Sequence, residues 1–343
     1  MYIFTYFFGD FNHLLEYDND VWTLLSPKYY TICYKEHEML NFIVNPSSSS
    51  GNAARIWENV TKKLAKENIS YNAHLTDGPG AATKFAQKIC SSEPNPTIVV
   101  IGGDGSVNET MCGITDFSKV TFGYIPAGSS NDFARDLDLT SDYKKALDAI
   151  LNPSEYIMLD IGKVVAGEDV RNFAVSCGIG YDAAICYEAL NSNTKDFLNK
   201  IHLGSLTYVI LAVKRLAKAK KLSCTISIDN EEPVSFKKFL FACAMVHRYE
   251  GGGLMFCPEA KYDDGILDLC FAHSIPKLKV LRVLPTAYKG NHVGFKGIEI
   301  RKGKKFTIHV SEPAHIHTDG EPCGIHSEMT VELNAAQLKM IYK

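Results

Sequence analysis

The chain has 343 residues, 46% of them hydrophobic and 22% charged, with a net charge of −3. That length allows two domains with separate cores, and that charge argues against a nucleic-acid binder, which carries a basic excess. The ten cysteines include no C-x-x-C pair, which removes a zinc knuckle or redox dithiol and suits a reducing, cytoplasmic compartment.

No run approaches the roughly 18 apolar residues of a bilayer span. Residues 1–38 begin apolar but lack a basic leader, and Asp10, Glu16, Asp18 and Asp20 follow quickly. They read as an extension, irregular or docked, and not as a secretory signal. Asn41-Phe-Ile-Val-Asn45 predicts a short buried strand that breaks at Pro46. A helix follows from Asn52 to about Asn68, with Ile56, Val60 and Leu64 on one face. Tyr71 to Leu75, Thr97 to Ile101 and Phe122 to Pro126 predict further strands, with a helix over Ala81 to Cys90. Such alternation implies a parallel sheet whose ligands sit at the carboxyl ends of the strands. Residues 39–160 are therefore expected to form one α/β domain.

Beyond Asp160 the pattern changes. Thr225 to Asp229, Phe239 to Val246, Ile266 to Ala272 and Lys305 to Val310 read as strands, which predicts an antiparallel β-sandwich over residues 161–326. One helix interrupts it, with Leu206, Val209, Ile210, Val213 and Leu216 at helical spacing and a basic tail around Lys214-Arg215. Pro276 to Gly290 predicts an ordinary packed helix, although Leu278, Leu281 and Leu284 among Lys277, Lys279 and Arg282 would also suit a bilayer surface. Residues 327–343 are apolar enough to return to the first domain.

The strongest chemical signal is Ile101-Gly-Gly-Asp-Gly-Ser-Val-Asn-Glu109. Glycines at a strand end let the backbone approach a ligand and aim several N–H groups at one anion, and the next helix adds its positive end. Asp104 among them would repel a phosphate unless Mg²⁺ lay between, so it points to a metal–nucleotide pair. Asn45-Pro-Ser-Ser-Ser-Ser-Gly51, Thr76-Asp-Gly-Pro-Gly80 and Gly128-Ser-Ser-Asn-Asp132 are three more polar loops after strands. In one parallel sheet all four converge on one edge. Gly178-Ile-Gly180 mimics a dinucleotide fingerprint without its downstream acid. His309, His315 and His317 read as surface or core histidines.

With these motifs in hand, residues 39–343 resemble the diacylglycerol kinase catalytic-domain family, which includes soluble bacterial diacylglycerol kinases and sphingosine and ceramide kinases. Pro126-Ala-Gly-Ser-Ser-Asn-Asp-Phe-Ala134 is similar to the family's Pro-x-Gly-Thr-x-Asn-Asp-Phe-Ala segment, and Thr318-Asp-Gly-Glu321 to its Asp-Gly-Glu motif. The resemblance implies an ATP-dependent lipid kinase, cytoplasmic and transiently at a membrane surface, acting on diacylglycerol or a related lipid, with a homodimer allowed. Asn45, Pro46, Ser47, Ser48, Ser49, Thr76, Gly102, Gly103, Asp104, Gly105, Ser106, Val107, Asn108, Glu109 and Ser129 would bind the nucleotide. Asp319 would be the general base, Glu321 would orient Mg²⁺ or its waters, and Asp104, Asp132, Asp160 and Asp319 would hold the catalytic Mg²⁺ through water. A structural Mg²⁺ would sit on the Asp264 carboxylate and the carbonyls of Lys261 and Ile266. A sphingoid-base kinase, an NAD kinase and a non-catalytic relative are the rival readings. Met39-Leu-Asn-Phe42 resembles a family start, so removal of residues 1–38 is expected to leave activity intact.

Overall fold

A computed structural model describes residues 39–191, 215–216, 219–220 and 222–343, together with the backbone of three short strands at 5–6, 21–26 and 29–34. Those three strands form a small antiparallel sheet of their own. The predicted helix around Leu206 to Val213, with most of its basic tail, lies outside the described residues.

The first domain opens with β1 (Leu40–Val44), α1 (Ser48–Lys66), β2 (Tyr71–Leu75), α2 (Ala81–Ser92) and β3 (Thr97–Gly102). It continues with α3 (Asp104–Gly113), β4 (Thr121–Pro126), α4 (Asp132–Asp136), α5 (Tyr143–Leu151) and β5 (Tyr156–Leu159). Strands β1 and β3 are buried along their whole length, as apolar runs covered by helices on both faces must be. The order is β2-β1-β3-β4, all parallel. Ile56, Val60 and Leu64 of α1 lie on one face of this sheet, with Phe42, Trp57 and Tyr71 packed ring to ring at 5.2–5.9 Å. Val100, Met111, Phe122 and Phe133 fill the other face.

The sandwich domain follows as β6 (Gly162–Ala166), β7 (Asp169–Phe173), β8 (Ser176–Gly180), α6 (Tyr181–Asn191), β9 (Leu222–Ile228) and β10 (Val234–Met245). Then come the two-residue strands β11 (Tyr249–Glu250) and β12 (Leu254–Met255), β13 (Leu267–His273), α7 (Lys277–Val283), β14 (Ile298–Gly303), β15 (Lys305–Thr318) and β16 (Glu321–Leu333). Apart from the β11–β12 hairpin, they form one antiparallel sheet ordered β7-β6-β16-β15-β8-β10-β13-β14, with β9 pairing both β10 and β15. The sheet thereby folds over its own core of Phe173, Phe239, Phe271, Phe306 and Met329.

The last strand, β17 (Leu338–Ile341), pairs parallel to β4 and antiparallel to β5, inside the first sheet. The crossing is later than the sequence suggested: residues 327–333 continue β16, held in the sandwich by Met329, Thr330, Val331 and Glu332 against β15. The expected fold class, a parallel α/β domain followed by an antiparallel sandwich, is the observed fold.

Candidate active site

The carboxyl ends of β1–β4 open into one cleft of about 1080 Å³, closed from the other side by the sandwich domain. This exceeds the ~300–1,000 Å³ of an ordinary small-molecule pocket, leaving room for two reactants. Asn45, Ser47, Ser48, Ser49, Thr76, Gly103, Asp104, Gly105, Ser106, Glu109, Ser129, Asp132, Asp319 and Glu321 line it.

The loops are tied to one another before any ligand arrives. After β1 the backbone turns left-handed at Ser49 and Ser50, with φ of 50° and 55°. That turn places the Ser49 hydroxyl 3.2 Å from that of Ser129. Asn45 Nδ2 donates to Ser106 Oγ. A Cβ on Gly128 would lie 2.5 Å from Gly103 Cα, so two loops meet backbone to backbone at a spacing that only paired glycines allow. Asn131 closes its own loop by accepting from Gly128 N and donating to Gly128 O.

The acids occupy the floor. Asp104 accepts from the backbone N–H of Asp132 and Phe133, at 3.1 and 3.3 Å. Burial first, then the charges of Asp132 and Asp319, push its carboxyl up from 3.8 to about 7. Burial also raises Asp132, against the opposing Gly252 N–H bond. Asp132 Oδ1 is buried without a hydrogen-bond partner, 3.5 Å from Arg135 Nε. A crowded acid set with an unsatisfied oxygen fits a divalent cation, which would offset the repulsion that drives these shifts.

Asp319 sits in the left-handed turn between β15 and β16, with φ 51°. Its Oδ1 accepts from the N–H of Val175 and Ser176, at 2.7 and 2.9 Å, and its Oδ2 from Ala174 N and Asn108 Nδ2, at 2.9 and 2.8 Å. Four donors fill the acceptor positions of a carboxylate. Asn108 is itself held by Arg171, whose guanidinium also donates to Pro322 O. The glycine-rich helix and the Asp-Gly-Glu turn are thus joined directly, and a Cβ on Gly105 would lie 2.8 Å from Glu321 Oε1.

Several expected residues take other roles. Asp160 is absent from the cleft: its carboxylate accepts from Gly265 N and Gln337 Nε2, at 2.7 and 2.8 Å, and so fastens the 262–265 turn to the first domain. Val107 is packed in the first-domain core, Asn108 is fully buried, and neither lines the cleft; nor do Pro46 and Gly102. Glu109 reaches the cleft wall, yet its carboxylate caps α2 through Gly80 N and Ala82 N. Lys261, Asp264 and Ile266 share a tight turn outside the cleft, where the exposed Asp264 accepts from Ile266 N. The carboxylate and the carbonyls of such a turn offer oxygen ligands only, the kind a hard cation takes.

Other residues escaped the sequence reading. The β11–β12 hairpin brings Glu250, Gly251 and Gly252 to the cleft, and Arg135 lines it as well. The Gly251-Gly-Gly253 run was a visible signal; the partners of Arg171 were not. His317, expected at the surface or in an ordinary core, is wholly buried with Nε2 3.3 Å from Asp182 and 3.2 Å from Glu250. Burial opposes its charge, but Glu250 and Asp182 overcome that and push it up to about 9. Gly320 N donates to His317 Nδ1, a bond of the neutral ring that the charged ring gives up. Cys243 and Cys186 complete this cluster beside the Asp-Gly-Glu turn.

Two family models together span most of the chain: the diacylglycerol kinase catalytic domain over residues 39–164, and the YegS C-terminal NAD kinase beta sandwich-like domain over residues 176–342. Residues 39–164 belong to the diacylglycerol kinase catalytic-domain family. It is 25% identical over 308 residues to a diacylglycerol kinase of Mycobacterium tuberculosis, covering 89% of this chain and 96% of that one. It is 28% identical over 280 residues to a diacylglycerol kinase of Staphylococcus carnosus, covering 81% and 87%. The crystal structure of a diacylglycerol kinase from Bacillus anthracis shares the fold, with a TM-score of 0.65 at 22% identity over 90% of this chain and 98% of that one. Family membership makes the chain a kinase of the lipid-phosphorylating type that uses ATP. No helix among the described residues is long and apolar enough to cross a membrane.

Proposed function

We propose that this chain transfers the γ-phosphoryl group of ATP to the free hydroxyl of diacylglycerol, giving phosphatidate and ADP. The observation that supports it best is the direct tie between the glycine-rich turn and the Asp-Gly-Glu turn, Asn108 Nδ2 to Asp319 Oδ2 at 2.8 Å. Phosphate donors and a candidate base then share one cleft.

In this reading the amides of Gly103 and Gly105, with the hydroxyls of Ser47, Ser48, Thr76, Ser106 and Ser129, cradle the triphosphate at the strand ends. The Arg135 guanidinium lies beside Asp132, where it can bond a phosphate oxygen. Magnesium, when bound, neutralises phosphate charge; Asp104 and Asp132 would hold it through water, whereas the four donors on Asp319 leave that carboxylate no free position for a metal-bound water. The acceptor oxygen attacks the γ-phosphorus as the bond to the β–γ bridging oxygen breaks and the hydroxyl proton passes to a carboxylate. For Asp319 to take that proton, the hydroxyl must displace one of its four donors. Asn108 is the one side-chain donor of the four, and its release would also break its bond with Arg171; the other three are backbone amides. Lys261, Asp264 and Ile266 would hold a second, structural Mg²⁺ at their turn.

The test is transfer of label from γ-labelled ATP to diacylglycerol, a sphingoid base and NAD, comparing wild type with Asp319→Asn. Labelled phosphatidate from wild type, falling about 10²–10⁴-fold in the variant, is expected for loss of a general base. Label on NAD alone, or equal rates in the two proteins, would overturn the reading.

A further inference from the structure

The predicted packed helix after Pro276 is not packed as expected. Of α7, only Val283 is buried, while Leu278 is 79% exposed. Leu281, Tyr288 and Val293 stand out beside it, at 37%, 44% and 41%. Four of the twelve exposed large apolar side chains among the described residues thus fall between 278 and 293, a concentration that single scattered exposures do not produce.

The charge of this excursion is one-sided. Residues 274–297 hold five cations, Lys277, Lys279, Arg282, Lys289 and Lys296, and no acid, in a chain whose net charge is −3. Random placement in an acidic protein would mix the signs. Val280, Leu284 and Phe295 turn the other way, into the cluster that covers the sandwich sheet. The excursion is therefore packed against the sandwich on one side and apolar and basic on the other.

Its position connects it to the cleft. The 3-10 helix Leu284–Lys289 packs on β12, and a Cβ on Gly290 would lie 3.2 Å from Met255 Sδ. The same hairpin carries Glu250 and Gly252 into the cleft wall, where Gly252 N donates to Asp132. The patch and the reaction floor are thus two ends of one hairpin.

We propose that the exposed face of residues 277–293 docks on an anionic lipid surface, so that the acceptor lipid enters the cleft directly from the bilayer. Leu278 and Leu281 would insert among the acyl chains while Arg282 and Lys289 lie at the headgroups, the arrangement expected of an interfacial amphipathic segment. The proposal rests on the lipid-kinase reading for its purpose, but the binding itself can be measured without turnover.

The experiment is co-sedimentation of the full chain with phosphatidylcholine vesicles, with and without phosphatidylglycerol. Leu278→Glu, Leu281→Glu and the pair Arg282→Gln/Lys289→Gln are compared with wild type, each with turnover of vesicle-borne and of dispersed short-chain diacylglycerol. Wild type should prefer the anionic vesicles, and each cation removed should weaken binding about fivefold, from roughly 1 kcal/mol per charge. Each glutamate variant should lose binding and vesicle turnover at least about tenfold while short-chain turnover stays within about twofold of wild type. Equal binding to neutral and anionic vesicles, unchanged binding by all variants, or a change of oligomeric state in Leu278→Glu would overturn the proposal. Vesicle binding without turnover of either substrate by wild type would instead refute the proposed function and leave the docking surface supported.

Discussion

Asp104→Asn isolates the energetic cost of crowding acids at the cleft floor. The wild-type carboxyl is pushed from 3.8 to about 7 by burial and by the Asp132 and Asp319 charges. A folded-state value above the unfolded one means that the folded chain holds this proton more tightly. The wild type therefore loses stability as pH climbs from about 4 to about 7, and the variant, which has no proton to lose, does not. The full shift corresponds to roughly 4 kcal/mol, and partial contact with water brings it to about 2–4 kcal/mol. The variant keeps one carbonyl acceptor for the amides of Asp132 and Phe133, and losing the other bond costs about 1 kcal/mol at every pH. Urea unfolding near pH 4 and near pH 8, without magnesium, should show the variant gaining about 2–4 kcal/mol on wild type between the two. Millimolar magnesium should narrow that gap by stabilising the ionised carboxylates, while the variant loses kinase activity. A stability difference that stays constant across this range would refute the account of the acid cluster.

Asp160→Asn should lower stability by about 1.5–3 kcal/mol, because it weakens charge-assisted bonds to Gly265 N and Gln337. kcat should be unchanged; a lower kcat at preserved stability would return Asp160 to the chemistry. Gly128→Ala would set a Cβ 2.5 Å from Gly103 Cα, against backbone that cannot rotate away. A loss of about 1–3 kcal/mol with a raised KM for ATP is expected, and unchanged values in both would remove the backbone contact from the argument.

Much of this molecule could be read along the chain because the relevant signals are local. The apolar runs of β1 and β3 with amphipathic α1 between them state a parallel sheet, and a parallel sheet states that the loops after its strands share an edge. The glycines near Asp104 and the serines after Pro46 needed only neighbours to be noticed. Asp160 shows where that reasoning stops. Its character as one more acid near a strand end is local, but its two partners lie 105 and 177 residues away, and they turn it from a candidate ligand into a clasp.

The same division runs through the rest of the site. By itself the amino-acid order determined that two domains of different architecture would form and that one would present several polar loops at a single edge, since periodicity and turn chemistry act over a few residues. Only the tertiary structure decided that Asn108 and Asp319 would meet across 211 residues. It also decided that Glu250 and Asp182 would surround a buried His317, and that the leucines of α7 would face outward. Hydrogen bonds between distant segments and the choice of which face is covered depend on the relative placement of whole domains, which no local pattern carries.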